Sequence, residues 1–370
     1  MTAPTINLPG PIFAKLSPHP FLLRNLTPAA SNSSSSAAPT RTNGRASQEA
    51  RPVHITASSL SHAHGSALVR VGDTTVICGV RGELLPVERI PQFRPLVDNN
   101  SQDEIGGTGT GTGGSGALRD YDLLVPNIEL ATGAAPQFLP GVPPTALAQT
   151  LSTRVYSLLH ATGLVEAADL RCGTAPGRSA RRVGRIRRTV GTRIRKWERG
   201  MRRRRRRRRA EVEGEERVVA YWVLYVDLLF LSFDGNPFDA AWAAVVAALR
   251  DTKLPAARWD PDRELVVCSR TEERKLNVRG LPVACSAAVF MEKEQSDAPG
   301  EGRNWILLDP DRLEETLCRE MITVVVDCSD GETRIKSMEK QGGTVIGREL
   351  IRGYVGVAEG RWKEVQKAMG

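Results

Sequence analysis

The segment that most constrains the fold is a nearly continuous apolar run at residues 218–233, in which Asp227 is the only charged residue. It is shorter than the roughly 20 residues that a membrane-spanning helix needs. Its β-branched and aromatic side chains favour a strand that is buried on both faces, and Asp234-Gly235-Asn236 follows as a turn signal. We therefore predict the central strand of a covered sheet and no membrane-spanning segment.

An alanine-rich helix is predicted directly after this strand, over residues 237–250. Asn236 is a candidate N-cap, Pro237 suits the first helical turn, and Asp239 lies where a negative charge stabilises the positive end of the helix dipole. The small side chains favour close packing against a neighbouring element. Pro255 is the predicted stop.

The remaining patterns predict an α+β fold rather than a regular βαβ array. Residues 67–80 contain two β-branched runs joined by Gly72-Asp73, which indicates a hairpin. A helix is predicted at residues 144–160, opened by Pro144 and closed by Gly163. The last third is mostly strand followed by one helix, with strands at 265–268, 283–290, 305–308, 321–326 and 333–338 and the helix at 347–369.

Two low-complexity segments are predicted to lie outside the core. Residues 1–48 contain no Asp or Glu; within them, apolar residues at 11–26 suggest a short docked helix, and the serine-rich stretch at 29–38 suggests a flexible linker. A transit peptide has a similar composition, but too few basic residues precede the linker to favour it. The glycine-rich region at 98–118 lacks the following Lys-Ser/Thr of a phosphate-binding loop, so we interpret it as a surface loop.

The positive charge is concentrated in one segment. The chain has a formal charge of +9, but residues 171–217 contain 20 Lys and Arg against 5 Asp and Glu, a local balance of +15, which leaves −6 for the rest. Eight consecutive arginines at 202–209 repel one another and indicate a solvated insertion or translated non-coding sequence. Alternatively, the arginine run has a function, as a nuclear localisation signal or as a contact with RNA phosphates. The candidate RNA-contacting residues are Arg202, Arg203, Arg204 and Arg205.

Candidate catalytic and metal-binding groups are few, and we predict no metal and no cofactor. His62 and His64 could approach a metal from one strand but lack a third ligand. An acidic cluster could hold a divalent cation through oxygen ligands, although its spacing favours a solvated turn after a strand. That cluster consists of Asp309, Asp311, Glu314 and Glu315. Six cysteines are spaced singly, which is typical of reduced thiols in a cytosolic or nuclear protein.

The order of five sequence blocks resembles the ribonuclease PH family, and within it the non-catalytic ring subunits of the eukaryotic RNA exosome. The blocks are RTNGR at 41–45 with Arg51-Pro52, GSALVRVGDTTVICGV at 65–80, the strand–helix unit at 221–249, LLDPDRLEET at 307–316 and ITVVVDCSDG at 322–331. The resemblance implies a ribonuclease PH-like α+β fold, with β-α-β halves like domain 2 of ribosomal protein S5 and mixed sheets with packed helices.

The resemblance also divides the chain into three parts. Residues 1–48 would hold the N-terminal helix and linker. Residues 49–255 would form the first ribonuclease PH-like domain, including the glycine-rich loop and the insert. Residues 256–370 would form the second such domain and the C-terminal helix.

Departures from the family pattern predict that the chain is not an enzyme. Active members carry Gly-Gly-Thr-Arg after the buried strand, where the helix N-terminus and the arginine hold inorganic phosphate. This chain reads Gly235-Asn236-Pro237-Phe238-Asp239. Phe238 replaces the guanidinium, Pro237 lacks an amide donor, and Asp239 would repel the anion. These changes are expected to cost several kcal/mol of phosphate binding.

The acidic cluster keeps only half of the family's catalytic carboxylates, as the resemblance implies. Asp309 matches one of them, and Glu315 stands in place of the other. Without bound phosphate they have nothing to activate, so we interpret them as vestigial or structural.

The resemblance implies a role in 3′-to-5′ RNA processing and degradation, including ribosomal RNA maturation and messenger RNA turnover. The expected partners are other ribonuclease PH-like subunits in a six-membered ring and RNA-binding cap subunits, with RNA passing through the ring channel. The expected locations are the nucleus, nucleolus and cytoplasm. Two alternatives stay open: a phosphate-dependent 3′-to-5′ exoribonuclease, and a free-standing arginine-rich RNA-binding protein.

Overall fold

The structure, a computed structural model, describes residues 9–27, 40–91, 93, 115–141, 143–173, 218–260, 262–292, 304–318, 320–343 and 347–370. The helices within these ranges are α1 (Gly10–Leu16), α2 (Pro18–Leu26), α3 (Ser115–Asp120), α4 (Ala146–Thr162), α5 (Pro237–Asp251), α6 (Arg312–Leu317) and α7 (Arg348–Met369). The strands are β1 (Val53–Ala57), β2 (Gly65–Val71), β3 (Thr74–Pro86), β4 (Leu124–Leu130), β5 (Arg171–Gly173), β6 (Val218–Ser232), β7 (Lys253–Asp260), β8 (Leu265–Lys275), β9 (Val283–Met291), β10 (Asn304–Leu308), β11 (Glu320–Asp327) and β12 (Arg334–Gln341).

These strands form two larger sheets and one hairpin. The first sheet has the order β1-β2-β3-β6-β4, with β5 also paired to β6. It is mixed, because β4 runs parallel to β6 whereas the other pairs are antiparallel. The second sheet is antiparallel, with the order β10-β9-β11-β12, and β7 pairs with β8 alone. The predicted α+β class with mixed sheets and packed helices is confirmed.

Helix α5 lies between the two sheets and contacts β2 and β3 on one side and β9 on the other. Trp242 at its centre is buried, and its indole N–H donates to the Pro282 carbonyl at 2.9 Å. The alanines let the strand backbone come close: a Cβ atom placed on Gly65 would lie 2.6 Å from the Ala248 carbonyl oxygen and 2.3 Å from the Thr252 hydroxyl oxygen. The position of α5 therefore depends on small residues on both elements.

The strongest local patterns correspond to real elements. Residues 65–86 form the predicted hairpin, and β6 is buried on both faces over residues 220–224 before it alternates, with Asp227 and Leu231 exposed. Helix α4 ends at Gly163 in the left-handed conformation, as predicted. It begins at Ala146, because the Thr145 hydroxyl accepts the Ala148 N–H at 3.3 Å and caps the helix.

Two details of the predicted helices are wrong for identifiable reasons. Helix α5 ends at Asp251, one residue beyond the predicted end, but Pro255 does not stop it: Lys253 donates to the His64 carbonyl at 2.8 Å and begins β7, which contains Pro255. The N-terminal helix is two helices, since Pro18 starts the second one. This second helix docks as expected, with Leu22 buried in a cluster that includes Phe290.

The low-complexity segments fall largely outside the described residues. These include the serine-rich linker, most of the glycine-rich region at 98–118, and residues 174–217 with all four candidate RNA-contacting arginines. The edges of two of these segments differ from the prediction. Residues 115–120 are helical, with Leu118 buried, and residues 171–173 are β5 of the first sheet rather than part of an insert. Over the described ranges, no helix is both long and apolar enough to cross a membrane.

Gly65→Ala should lower the free energy of unfolding by about 1–3 kcal/mol, because the added methyl group overpacks the contact between β2 and α5. Gly353→Ala is the matched control: it lies inside helix α7 with no atom within 4 Å of the added Cβ, and should stabilise the protein by about 0.5–1 kcal/mol. Urea unfolding of both variants tests the close approach. Equal effects at the two positions would contradict it.

Candidate functional site

The site lies where the turn after β6, the loop after β10 and the segment before β1 meet. Its centre is an ion pair between Arg51 and Asp309, which are 7% and 2% exposed. The Nε and Nη2 atoms of Arg51 donate to the two carboxylate oxygens of Asp309, each at 2.8 Å, and the Arg51 backbone N–H donates at 2.8 Å. Burial alone would raise the pKa of Asp309, but these bonds and the Arg51 charge lower it to about 2.

A second buried pair lies beside the first. The Nη1 atom of Arg41 is 3.2 Å from the Glu314 carboxylate, and both side chains are fully buried. Arg45 bridges the two pairs, at 3.6 Å from Asp309 and 3.8 Å from Glu314. Burial raises the pKa of Glu314, and the charge of Arg41 opposes this rise. The sequence assigned no individual role to these arginines, which appeared only as part of the family resemblance.

The acidic cluster is therefore not a solvated turn, and that prediction is wrong for Asp309 and Glu314. Their buried charges are compensated by arginines from a distant part of the chain. Asp311 instead begins helix α6, where its carboxylate accepts the Glu314 N–H at 2.8 Å in a capping box. Among the described residues, no group of three or more His, Cys, Asp and Glu side chains could hold a metal ion.

The turn into α5 adopts a left-handed backbone that shapes the site. Gly235, Asn236 and Asp309 have φ values of 77°, 47° and 49°. A Cβ atom on Gly235 would lie 2.5 Å from the Asp311 carbonyl carbon, so only glycine fits there. Asn236 does not cap the helix through its side chain, contrary to the prediction, because its amide donates to Asp309 at 2.7 Å and to Asp239 at 2.9 Å.

The N-terminus of α5 already carries a carboxylate of the protein itself. The backbone N–H of Asn236 donates to the Glu315 carboxylate at 2.7 Å. Helix N-termini attract anions because their first N–H groups lack partners within the helix. Burial raises the pKa of Glu315 to about 7, and the Asn236 bond and the Arg51 charge partly oppose this rise.

The two side chains predicted to disrupt anion binding are held within the protein. Phe238 is 3% exposed, and the guanidinium carbon of Arg154 lies 3.8 Å from its ring centroid. Asp239 accepts the Ser286 N–H at 2.8 Å and the Ser286 hydroxyl at 2.7 Å. Burial raises the pKa of Asp239, while its bonds from Asn236 and Ser286 lower it. Asp239 thus joins α5 to β9 and does not present a free charge at the surface.

Arg154 is a site residue that the sequence analysis missed. It lies on α4, and donates to the Thr323 hydroxyl at 3.1 Å and to the Glu339 carboxylate at 2.6 Å. Its position between Leu151 and Val155, on the apolar side of the predicted helix, was the sequence signal that could have identified Arg154. The structure does not bring His62 or His64 to this site: the His64 imidazole accepts the Gly82 N–H at 3.0 Å in the first sheet.

The fold and the site define a class of α+β protein in which a helix between two sheets presents its N-terminus to a cluster of arginines and carboxylates. Residues 49–255 match RNase_PH, the 3′ exoribonuclease family, domain 1. The chain therefore belongs to the ribonuclease PH family, and the predicted resemblance and fold are confirmed.

Relatives and solved structures support this assignment over most of the chain. The exosome complex component rrp43 of Schizosaccharomyces pombe is 28% identical over 352 residues, which cover 95% of this chain and 94% of the relative. The sequence blocks also predicted this particular likeness, to ribosomal RNA-processing protein 43. The exosome complex component Rrp42 of Archaeoglobus fulgidus is 26% identical over 84% of this chain and 83% of its own length.

Two solved structures share the fold. A chain of the Archaeoglobus fulgidus exosome with RNA bound to the active site has a TM-score of 0.56 and 22% identity, covering 97% of this chain and 100% of that one. A chain of an archaeal exosome core has a TM-score of 0.50 and 20% identity, covering 88% and 91%.

Arg51→Ala should lower the free energy of unfolding by about 3–5 kcal/mol, because the buried Asp309 carboxylate loses its main charged partner and keeps only Arg45, at 3.6 Å. Arg334→Ala removes an exposed pair with Asp330 at 2.8 Å and should cost at most about 1 kcal/mol. Urea unfolding near neutral pH compares the two. A loss no larger than that of the control would show that the Arg51 pair is not essential to the fold.

Glu315 should make the protein less stable as the pH rises from 4.5 to 7. Its pKa is about 7 in the folded chain against an ordinary value of 4.5, so over this interval the folded protein holds a proton that the unfolded chain has lost. Its stabilising contribution is complete below pH 4.5 and lost above pH 7, a change of about 3 kcal/mol. The glutamine side chain of Glu315→Gln cannot ionise, so this variant should lose this part of the pH dependence of the free energy of unfolding. Urea unfolding at several pH values measures that dependence. If the free energy of unfolding of the variant depends on pH as that of the parent does, the pKa of Glu315 is not raised.

Proposed function

We propose that this protein is a non-catalytic structural subunit of an RNA exosome ring that supports 3′-to-5′ RNA processing and degradation, including ribosomal RNA maturation and messenger RNA turnover. Membership of the ribonuclease PH family supports this proposal. So does the likeness to an exosome complex component over nearly the full length of both chains.

The observation that carries the non-catalytic part is the bond between the Asn236 N–H and the Glu315 carboxylate. In the family pattern an arginine and the helix N-terminus hold phosphate at this place. Here a carboxylate takes the N–H donor, and the residue in the arginine position is the buried Phe238. Loss of a charge-assisted contact and addition of a like charge cost several kcal/mol each in a buried site, so inorganic phosphate should not bind.

Asp309 is also poorly suited to acid–base chemistry. Both of its oxygens are engaged by Arg51 and one also by Asn236, and its pKa of about 2 keeps it ionised near neutral pH. A general acid or base works best when its pKa lies near the operating pH. We therefore assign Asp309 a structural role, and Glu315 the role of occupying the Asn236 N–H donor.

The proposed partners are other ribonuclease PH-like ring subunits and RNA-binding cap subunits, with RNA in the ring channel, in the nucleus, nucleolus and cytoplasm. Several large apolar side chains are exposed on the isolated chain, as a subunit that buries them against neighbours would require. They include Leu16 at 66%, Leu139 at 67% and Leu231 at 46% exposure.

Co-expression with ribonuclease PH-like and cap subunits tests the assembly. The full chain should co-purify in a complex of ring size, measured by light scattering, whereas the chain alone should be monomeric or poorly soluble. Deletion of residues 178–209 should leave assembly unchanged. If the deletion abolishes RNA binding and the chain never joins a ring, the free-standing RNA-binding alternative is correct.

The same purified complex tests catalysis. With a 3′-labelled RNA and inorganic phosphate, we expect no nucleoside diphosphate to be released by this subunit, so partners with inactivated sites are used to remove background. Phe238→Arg alone should not restore activity, because Glu315 still occupies the helix N–H. Phosphate-dependent release by the unmodified chain would establish the exoribonuclease alternative.

A further inference from the structure

We propose that a basic cavity at the other end of β6 binds a phosphate group of RNA. The basic cavity, of about 170 Å³, lies between β5, the start of β6 and the β7–β8 hairpin. Trp222 and Leu254, which are 7% and 5% exposed, form part of its apolar lining. Four cationic side chains also line it: Arg171, Arg258, Arg274 and Lys275.

Most of this positive charge is uncompensated. Within the described part of the chain, no carboxylate lies within 4.0 Å of Arg171, Arg274 or Lys275. Arg258 pairs with Glu272 at 2.7 Å. The one acidic residue in the lining, Asp169, lies 3.1 Å from Arg279, which also pairs with Glu166 at 3.1 Å, so Asp169 offsets at most one of the three unpaired cations. The basic cavity therefore has a net positive charge that an anion would balance.

One local contact is unfavourable unless an anion is present. The Nε atom of Arg171 is buried and has no acceptor among the described residues. A buried cationic donor without a partner is costly. This feature is expected of a site whose ligand supplies the missing acceptor. Lys275 adds an exposed positive charge to the lining and lies opposite Lys253, which is outside the lining, in the β7–β8 ladder.

A phosphate group has the geometry and charge that these groups bind. Guanidinium groups bind phosphate oxygens in a planar fork, and lysine adds a point charge. The apolar lining leaves room for a sugar or base beside the charged oxygens. The basic cavity is separate from the site at the start of α5, because Trp222 and Asp234 are roughly 40 Å apart along an extended strand. The choice of RNA as the source of the phosphate rests on the function proposed above.

The test compares two charge-matched double variants of the full chain, with residues 202–209 changed to serine in both so that the arginine run does not mask the effect. The cavity variant is Arg274→Gln with Lys275→Gln. The control is Arg263→Gln with Arg270→Gln, which removes the same charge from the same hairpin outside the basic cavity. Thermal unfolding verifies that both fold.

Binding of labelled oligo-uridine is measured against salt concentration, with inorganic phosphate and oligo-glutamate as separate probes. The cavity variant should bind RNA about tenfold more weakly and reduce the salt slope by about 1 to 2, while the control binds like the parent. Phosphate binding that depends on the cavity, with RNA binding unchanged, would retain the anion site but reject RNA as its source. Equal RNA and phosphate binding by all forms, or dependence of only oligo-glutamate binding on the cavity, would overturn the proposal. Ring assembly is measured separately, so a failure here does not bear on subunit membership.

Discussion

The buried ion pair between Arg51 and Asp309 is the interaction on which the arrangement of the site depends. It ties together residues that are 258 positions apart and brings the segment before β1 onto the loop after β10. A buried pair stabilises a protein only when its remaining hydrogen-bonding groups are also satisfied. Here the Arg51 Nη1 atom donates to the Asp234 carbonyl at 2.7 Å and Asn236 donates to Asp309. The turn after β6 is thus held in place by the same pair.

This arrangement gives the carboxylates at the site a role in the fold itself. Asp309 and Glu314 neutralise Arg41, Arg45 and Arg51, whose charges would otherwise be buried without partners. Glu315 then lies on the Asn236 N–H, and its raised pKa shows that its ionisation is costly there. The residues connect the two sheets, a role that suits the structural subunit proposed above.

The two ends of β6 differ in their electrostatic character. At its C-terminal end, arginines and carboxylates compensate one another and Glu315 accepts the Asn236 N–H. At its N-terminal end, the basic cavity presents Arg171, Arg274 and Lys275 without carboxylate partners among the described residues. The acidic balance outside residues 171–217 therefore conceals the grouping of Arg274 and Lys275 beside Arg171, since net charge says nothing about how charges are grouped in space.

The sequence alone determined the elements whose signals are local. The hairpin at 65–86, the strand β6 and the helix α5 follow from hydrophobic periodicity and turn residues, and the five blocks were sufficient to indicate the family. Local patterns could not show that Asp309 and Glu314 are buried, since their arginine partners lie 258 and 273 residues away. Nor could they show that Asn236 bonds to Asp309 instead of capping its helix. Only the tertiary structure decided these points, because the state of a charged group depends on burial and on neighbours that the chain brings together when it folds.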